Sequence, residues 1–285
     1  MRDIREVPAE EYWDELRRRW GGLLSYRYIG AQFASMNTNI ADPSVAVRSD
    51  MRNAAGGIAT APLSICAPGG IARSDLEAVP NPVIHSMQVL DDARDVRRVL
   101  VVDSVSLHEG RRMGYSRTKI VDADDRDRVI ALIESQGASI GDVPAGLGRF
   151  DDDPVDHIED SPDLPPLWQV FGGSRRADGH WVLGELTVEL ASPDAALHIG
   201  PQHVILEAAA VDLAAQAAGT DRLQVWSKTV MHLARGKVGP FRVDGTTSRG
   251  GDGSDRIGVQ LTLHDEGNGD RAVTSAAFVL APARA

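Results

Sequence analysis

Two long blocks of this chain alternate apolar and polar residues with a period of two, the signature of strands with one face buried. In the first block the runs are Val83–Leu90, Arg98–Leu107, Arg112–Val121 and Arg128–Ser135. In the second they are Leu223–Leu233, Phe241–Ser248, Ile257–His264 and Arg271–Leu280. Each block follows a stretch that is apolar nearly all round and therefore predicts a buried helix. The first such helix is expected over Asn53–Ile65, with Pro62 either kinking it or marking a start just before it, since an interior proline loses a hydrogen bond. The second is expected over Pro201–Ala218, where Pro201 suits the first turn.

Shorter signals fill in the plan. Pro8–Trp20 reads as an amphipathic helix with Trp13, Leu16 and Trp20 on one stripe, closed by Gly21-Gly22. Tyr26–Asn39 and Val45–Arg48 read as strands, as do Leu167–Gly172 and Trp181–Leu190. Gly250–Gly253 and Glu266–Asp270 carry the turn chemistry of antiparallel hairpins. Residues 141–166 are acidic, rich in proline and aperiodic, and read as a linker. His157, among acids there, lacks the stiff scaffold a metal site needs.

Residues 29–139 and 170–280 thus follow one plan, which predicts an internal repeat and a pseudo-two-fold particle with any site where the copies meet. The expected organisation is an N-terminal helix (1–25), a first unit (26–140), the linker (141–166) and a second unit (167–285). Each unit is α+β, one long helix on an antiparallel sheet of about five strands.

Composition narrows the function. The 285 residues are 42% hydrophobic, enough for two cores, and only 5% aromatic. A net charge of −11 argues against nucleic acid as a partner. The single cysteine, Cys66, allows no internal disulfide and fits a cytoplasmic location. Charges through the first thirty residues speak against a signal peptide, and no apolar run is long enough to span a membrane. His85, His108, His232 and His264 show no metal spacing, and no glycine pair builds a nucleotide-binding loop.

The candidate chemistry centres on the two helices. Gly56-Gly57 at a helix start would leave backbone N–H groups free for a carbonyl oxygen that gains charge. The run Asn53-Ala54-Ala55-Gly56-Gly57-Ile58-Ala59-Thr60 resembles the glycine-glycine helix start of hotdog-fold acyl-CoA thioesterases of the PaaI-like family. Gly110-Arg111-Arg112 followed by Ile120-Val121-Asp122 resembles that family's strand pattern, and Val238–Val243 through Leu263–Glu266 to Thr274–Ala276 is similar to its C-terminal strands. The resemblance implies a tandem (double) hotdog, each unit a long central helix on a curved antiparallel sheet. It implies a thioester hydrolase acting on an acyl-CoA-type substrate at the interface of the units, with no cofactor beyond the CoA of the substrate. The fused pseudo-dimer is expected to assemble further as a homo-oligomer, since open sheet edges are a liability.

Carried over residue by residue, the resemblance gives Gly57 N–H as carbonyl donor, with Gly56 beside it, Asn53 as the orienting group, and an acid from the partner helix as base. The family's acidic position in the first half falls on Ser64, which cannot serve, and its histidine before the glycines is Ala55. The second helix offers Asp212, on the face of Ile205 and Ala208, and Glu207, which follows His203 by one turn and would pair with it unless recruited. Arg111 and Arg112 are candidates for a CoA phosphate. Cys66, flanked by apolar residues, reads as core rather than nucleophile. Two rivals stand beside hydrolysis. One is a non-catalytic acyl-CoA or lipid binder, favoured by Ser64 and the absent histidine. The other is a hydratase, for which Asp194 and His198 are the nearest acid–histidine pair.

Overall fold

The computed structural model describes residues 1–31, 42–68, 78–144, 156–251 and 253–283. Five α-helices are present among them: α1 (Tyr12–Gly22), α2 (Leu24–Ile29), α3 (Thr60–Cys66), α4 (Leu167–Val170) and α5 (Ile199–Ala218). The strands of the first half are β1 (Ser44–Ala46), β2 (Ala78–Val89), β3 (Arg98–Glu109), β4 (Met113–Asp122) and β5 (Val129–Asp142). Those of the second are β6 (Gly173–Arg175), β7 (Trp181–Leu183), β8 (Ala191–Ser192), β9 (Ala196–Leu197), β10 (Leu223–His232), β11 (Phe241–Arg249), β12 (Ile257–Asp265) and β13 (Arg271–Pro282).

Eleven strands join in one antiparallel sheet of order β1-β3-β4-β5-β2-β10-β13-β12-β11-β7-β6. The seam is the β2–β10 pair, registered from Ser227↔Gln88 to Met231↔Ile84. On either side of it the order runs outward in the same sense. The first strand after the helix sits at the seam, the last strand of the half lies beside it, and the two middle strands follow. The β8–β9 pair stands apart. The chain is thus mixed α+β with a large antiparallel sheet. The eight long runs of alternating polarity are all strands, because each buries one face only. In β4, for example, Gly114, Ser116, Thr118 and Ile120 face inward while Tyr115, Arg117 and Lys119 face out.

α5 is buried along most of its length and lies against β10 to β13, α3 and α4. His198 caps its start by accepting from the Gly200 N–H. It ends on Gly219, whose φ of 74° is the left-handed conformation glycine adopts without strain. A single core of mostly aliphatic side chains, with Tyr26, Phe171, Phe241 and Phe278 among them, runs through both halves. A smaller cluster of Ile4, Tyr12 and Leu16 seats the N-terminal segment on Ile140 and Val143.

Several expected elements differ. The helix of the first half is seven residues long and begins at Thr60, so Pro62 marks its first turn rather than a kink. Asn53–Gly57 is instead a tight turn, closed by Asn53 N–H to Gly57 O (2.9 Å) and Gly56 N–H to Asn53 O (2.9 Å). Tyr26 begins no strand. It lies in α2, which ends on Gly30 at φ 79°, and residues 32–39 of that expected strand lie outside the described residues. Leu167–Gly172 is a helical turn and not a strand, and only Trp181–Leu183 of the run to Leu190 pairs. β5 continues to Asp142, into the expected linker. The described end of that linker is fastened to the first half: Asp160 accepts from Ser49 N–H (2.7 Å) and Oγ (2.8 Å). Asp151–Asp153 and Gly69-Gly70 lie outside the described residues.

Candidate functional site

Where α5 crosses the seam, a set of polar side chains is buried together. Glu207 of α5 reaches into the first half and accepts from the Thr60 N–H (2.7 Å) and the Ala61 N–H. These amides open α3 and have no partner within that helix, so a carboxylate there meets unpaired donors at the positive end of a short dipole. One turn earlier on α5 stands His203. Its ring lies 5.0 Å from that of His85 on β2 and 6.1 Å from that of His232 on β10. Lys228 of β10 points inward beside them, close enough for Glu207 to act on its charge.

Hydrogen bonds fix the state of most of these rings. His85 Nε2 lies 3.2 Å from the Ala67 carbonyl, which only accepts, so Nε2 carries the proton and Nδ1 a lone pair. Gln202 donates its amide to Leu197 O (2.9 Å), which leaves its oxygen to accept from Thr274 Oγ and from His232 Nδ1 (3.1 Å). His232 therefore also presents a lone pair, at Nε2. His198 accepts from the Gly200 N–H at Nδ1 (3.2 Å), contacts Ser25 Oγ there (3.0 Å), and donates from Nε2 to Tyr26 OH (3.2 Å).

Six buried residues hold polar atoms with no partner among the described residues: His203 at both ring nitrogens, Lys228 at Nζ, His85 at Nδ1, Thr60 at Oγ1, Ser135 at Oγ and, away from the seam, Asp194 at Oδ2. His232 Nε2 is equally enclosed, although the residue as a whole is half-buried. Such atoms are rare in native interiors. Burial holds His85, His198 and His232 down to about 3 from 6.5, and His203 well below its ordinary value. All four are neutral at pH 7. Burial also lowers Lys228 to about 8, against the opposing pull of Glu207.

The residues singled out in the sequence fall in different places. Glu207 is at the seam, bonded to backbone rather than to His203. Gly57 N–H is taken by Asn53 Oδ1 (3.1 Å), so it is no free donor, and Gly57 stands three residues before α3. Gly56, at φ 90°, makes the turn that precedes it. Asn53 is a strut and not a free orienting group: its amide nitrogen donates to Gln224 Oε1 of β10 (2.6 Å), tying the turn to the other half. Asp212 lies five residues beyond Glu207, about 140° further round α5. It accepts from Trp181 Nε1 (3.2 Å) and Gln216 (3.2 Å) and pairs with Arg175 (3.2 Å), all in the second half. The structure therefore does not bring Gly57 and Asp212 together. Arg111 and Arg112 are exposed at the tip of the β3–β4 hairpin and make no ion pair among the described residues. Ser64 donates to Thr60 O (3.0 Å). Cys66 is buried and its thiol is pushed up to about 12, which makes it inert. Asp194 pairs with Arg235 while His198 caps α5, so the hydratase pair is divided between two structural tasks. No cluster able to hold a metal is found among the described residues, and no described helix is long and apolar enough to cross a membrane.

No family model matches the sequence, and no curated protein matches it either. Solved structures do match. A tesB protein of Mycobacterium avium subs paratuberculosis aligns with a TM-score of 0.59 over 90% of this chain and 99% of its own, at 14% identity. Acyl-CoA thioesterase II TesB2 from Mycobacterium marinum aligns at 0.54, over 87% and 95%, with 12% identity. A protein of unknown function with a hot dog fold from Alicyclobacillus acidocaldarius aligns at 0.53, over 87% and 96%, with 10% identity. The fold is the hotdog fold. Nearly the whole of each of these chains is covered.

Two of the residues that matter here were scattered histidines in the sequence, and a third was an unremarked lysine. Their strand register was the available signal: His85 alternates with Met87 and Val89, and Lys228 with Val230, on the faces that turn inward.

Proposed function

We propose that this chain is a double hotdog whose two fused units hydrolyse an acyl-CoA-type thioester at their interface. The reading rests on one observation: a carboxylate from the helix of one half meets the first backbone amides of the opposite helix across the seam. Thioesterases among the structural neighbours support the reaction class. A thioester carbonyl taking the place of a Glu207 oxygen would receive the Thr60 and Ala61 N–H groups. Those donors stabilise the negative charge that grows on oxygen in the tetrahedral intermediate. Glu207, released from them, would hold a water molecule and take its proton as the water attacks, and the CoA thiolate would leave. Glu207 and the α3 amides take the parts that the sequence gives to Asp212 and Gly57. No feature of the site selects the PaaI-like branch over other hotdog thioesterases.

Release of free thiol from a panel of acyl-CoAs tests the reading. Turnover should fall by about a hundredfold or more in Glu207→Gln, the scale of a lost general base. Unchanged turnover in that variant would remove Glu207 from the mechanism. A second reading, a non-catalytic acyl-CoA binder, is favoured by the engagement of both Glu207 oxygens, the internal bond of Ser64 and the spent Gly57 amide. It predicts binding of acyl-CoA by calorimetry with no thiol release.

A further inference from the structure

We propose that the seam selects an acyl group that ends in a second carboxylate, a short dicarboxylic monothioester, with the distal carboxylate seated on Lys228. The proposal rests on the thioester reading above and names the substrate class of that site.

Lys228 stands out among the charged groups of the interior. Its side chain is 1% exposed and Nζ has no hydrogen-bond partner among the described residues. Glu207, the acid whose charge acts on it, already spends both oxygens on the Thr60 and Ala61 amides. An ammonium taken out of water without an anion is penalised heavily, and a neutral amine there still lacks partners for its hydrogens. Beside it His203 is wholly buried with both ring nitrogens unpartnered, one of which must be a donor. A purely alkyl chain would leave all of these groups unpaired. A carboxylate would take the ammonium and the imidazole N–H together, as a charge-assisted pair in a dry site.

Spacing agrees with the chemistry. His203 precedes Glu207 by four residues on one helix, a rise of about 6 Å. The fourth or fifth carbon of an acyl chain whose carbonyl sits at the α3 amides spans about that one-turn distance, the separation of His203 from Glu207 along α5. The Lys228 charge acts on both His85 and His203, and each of these rings holds an unpartnered nitrogen.

The test compares glutaryl-CoA and succinyl-CoA with hexanoyl-CoA and 3-hydroxyhexanoyl-CoA, by thiol release for turnover and by calorimetry for binding. The wild-type protein should favour glutaryl- or succinyl-CoA over hexanoyl-CoA by at least about tenfold in kcat/KM or in Kd. In Lys228→Met that preference should be lost, the ratio falling by about tenfold or more, as expected on losing one member of a desolvated charge pair. A purely structural role for Lys228 would move all esters together and leave the ratio intact, which overturns the proposal. So does a wild-type preference for hexanoyl- or 3-hydroxyhexanoyl-CoA, a comparison that needs no variant. Cleavage or binding of the neutral esters alone defeats the dicarboxylic assignment and spares the thioester reading. Failure to bind or cleave any of the four defeats both.

Discussion

Acidification from pH 7 to pH 5 should strongly destabilise this protein, and the buried imidazoles are the reason. His85, His198 and His203 are at most 7% exposed. Burial holds His85 and His198 to about 3, and His203 well below 6.5. In the unfolded chain each titrates near 6.5. As pH falls through 6.5 the unfolded chain takes up protons that the native state refuses, so stability drops until about pH 3. At pH 5 His85 and His198 each cost about 2 kcal/mol of stability relative to neutral pH, about 4 kcal/mol together, and His203 adds to this in the same direction. That is a large share of the stability of an ordinary domain, about 5–15 kcal/mol. His232, half-buried, adds a smaller amount in the same direction. Lowered carboxylates such as Glu15, held at about 2 by Arg18 and Arg19, lose their contribution only further down, as pH falls below about 4.5. Denaturant titrations followed by tryptophan fluorescence at pH 7, 6 and 5 measure the effect. The midpoint should fall steeply between pH 6 and 5, and His203→Leu should show a shallower pH dependence by about one proton. A midpoint that is flat across this range would refute the assignment of three neutral, buried imidazoles.

Lys228 has the same linkage on the alkaline side. Its fall from 10.5 to about 8 means that wild-type stability rises between pH 8 and 10.5, a rise that Lys228→Met should lack, measurable by denaturant titration. Gly57→Ala should destabilise by about 1–3 kcal/mol, because a Cβ there would meet Gln224 Oε1 and lie 2.9 Å from Asp92 O. Its folded fraction should keep normal thiol release, since Gly57 N–H is not at the site. Asp265 is fully buried and accepts from the Lys237, Val238 and Gly239 N–H groups, so Asp265→Ala should cost about 3 kcal/mol or more and lower Tm. Asp212→Ala should leave turnover near wild type in the same assay, because its partners are Trp181, Gln216 and Arg175.

The long strands were legible because a sheet buried on one face writes its register directly into the sequence. The position of α5 was legible within two residues, from its unbroken apolar run. The start of α3 was not. Asn53-Ala54-Ala55-Gly56-Gly57 has the composition of a helix start, but the Asn53 side chain accepts from Ala55 N–H and Gly57 N–H and folds the segment back on itself. Tyr26-Arg27-Tyr28-Ile29 has strand propensity, yet Ser25 and Tyr26 close over His198 at the start of α5, and that contact decides for a helix. Glu207 was legible as an acid on a buried helix, while its partners, the Thr60 and Ala61 amides, depend on a contact between residues 147 and 146 positions apart. The lysine and histidines of the seam converge only once β2 and β10 pair, and no local spacing announces that meeting.

That pairing of β2 with β10 also bears on how the protein behaves at low concentration. Two separate chains joined along such strands would come apart on dilution and lose their shared site. Here the partner strands belong to one polypeptide, so occupancy of the joint does not depend on how much protein is present. Specific activity should therefore hold from micromolar to nanomolar enzyme.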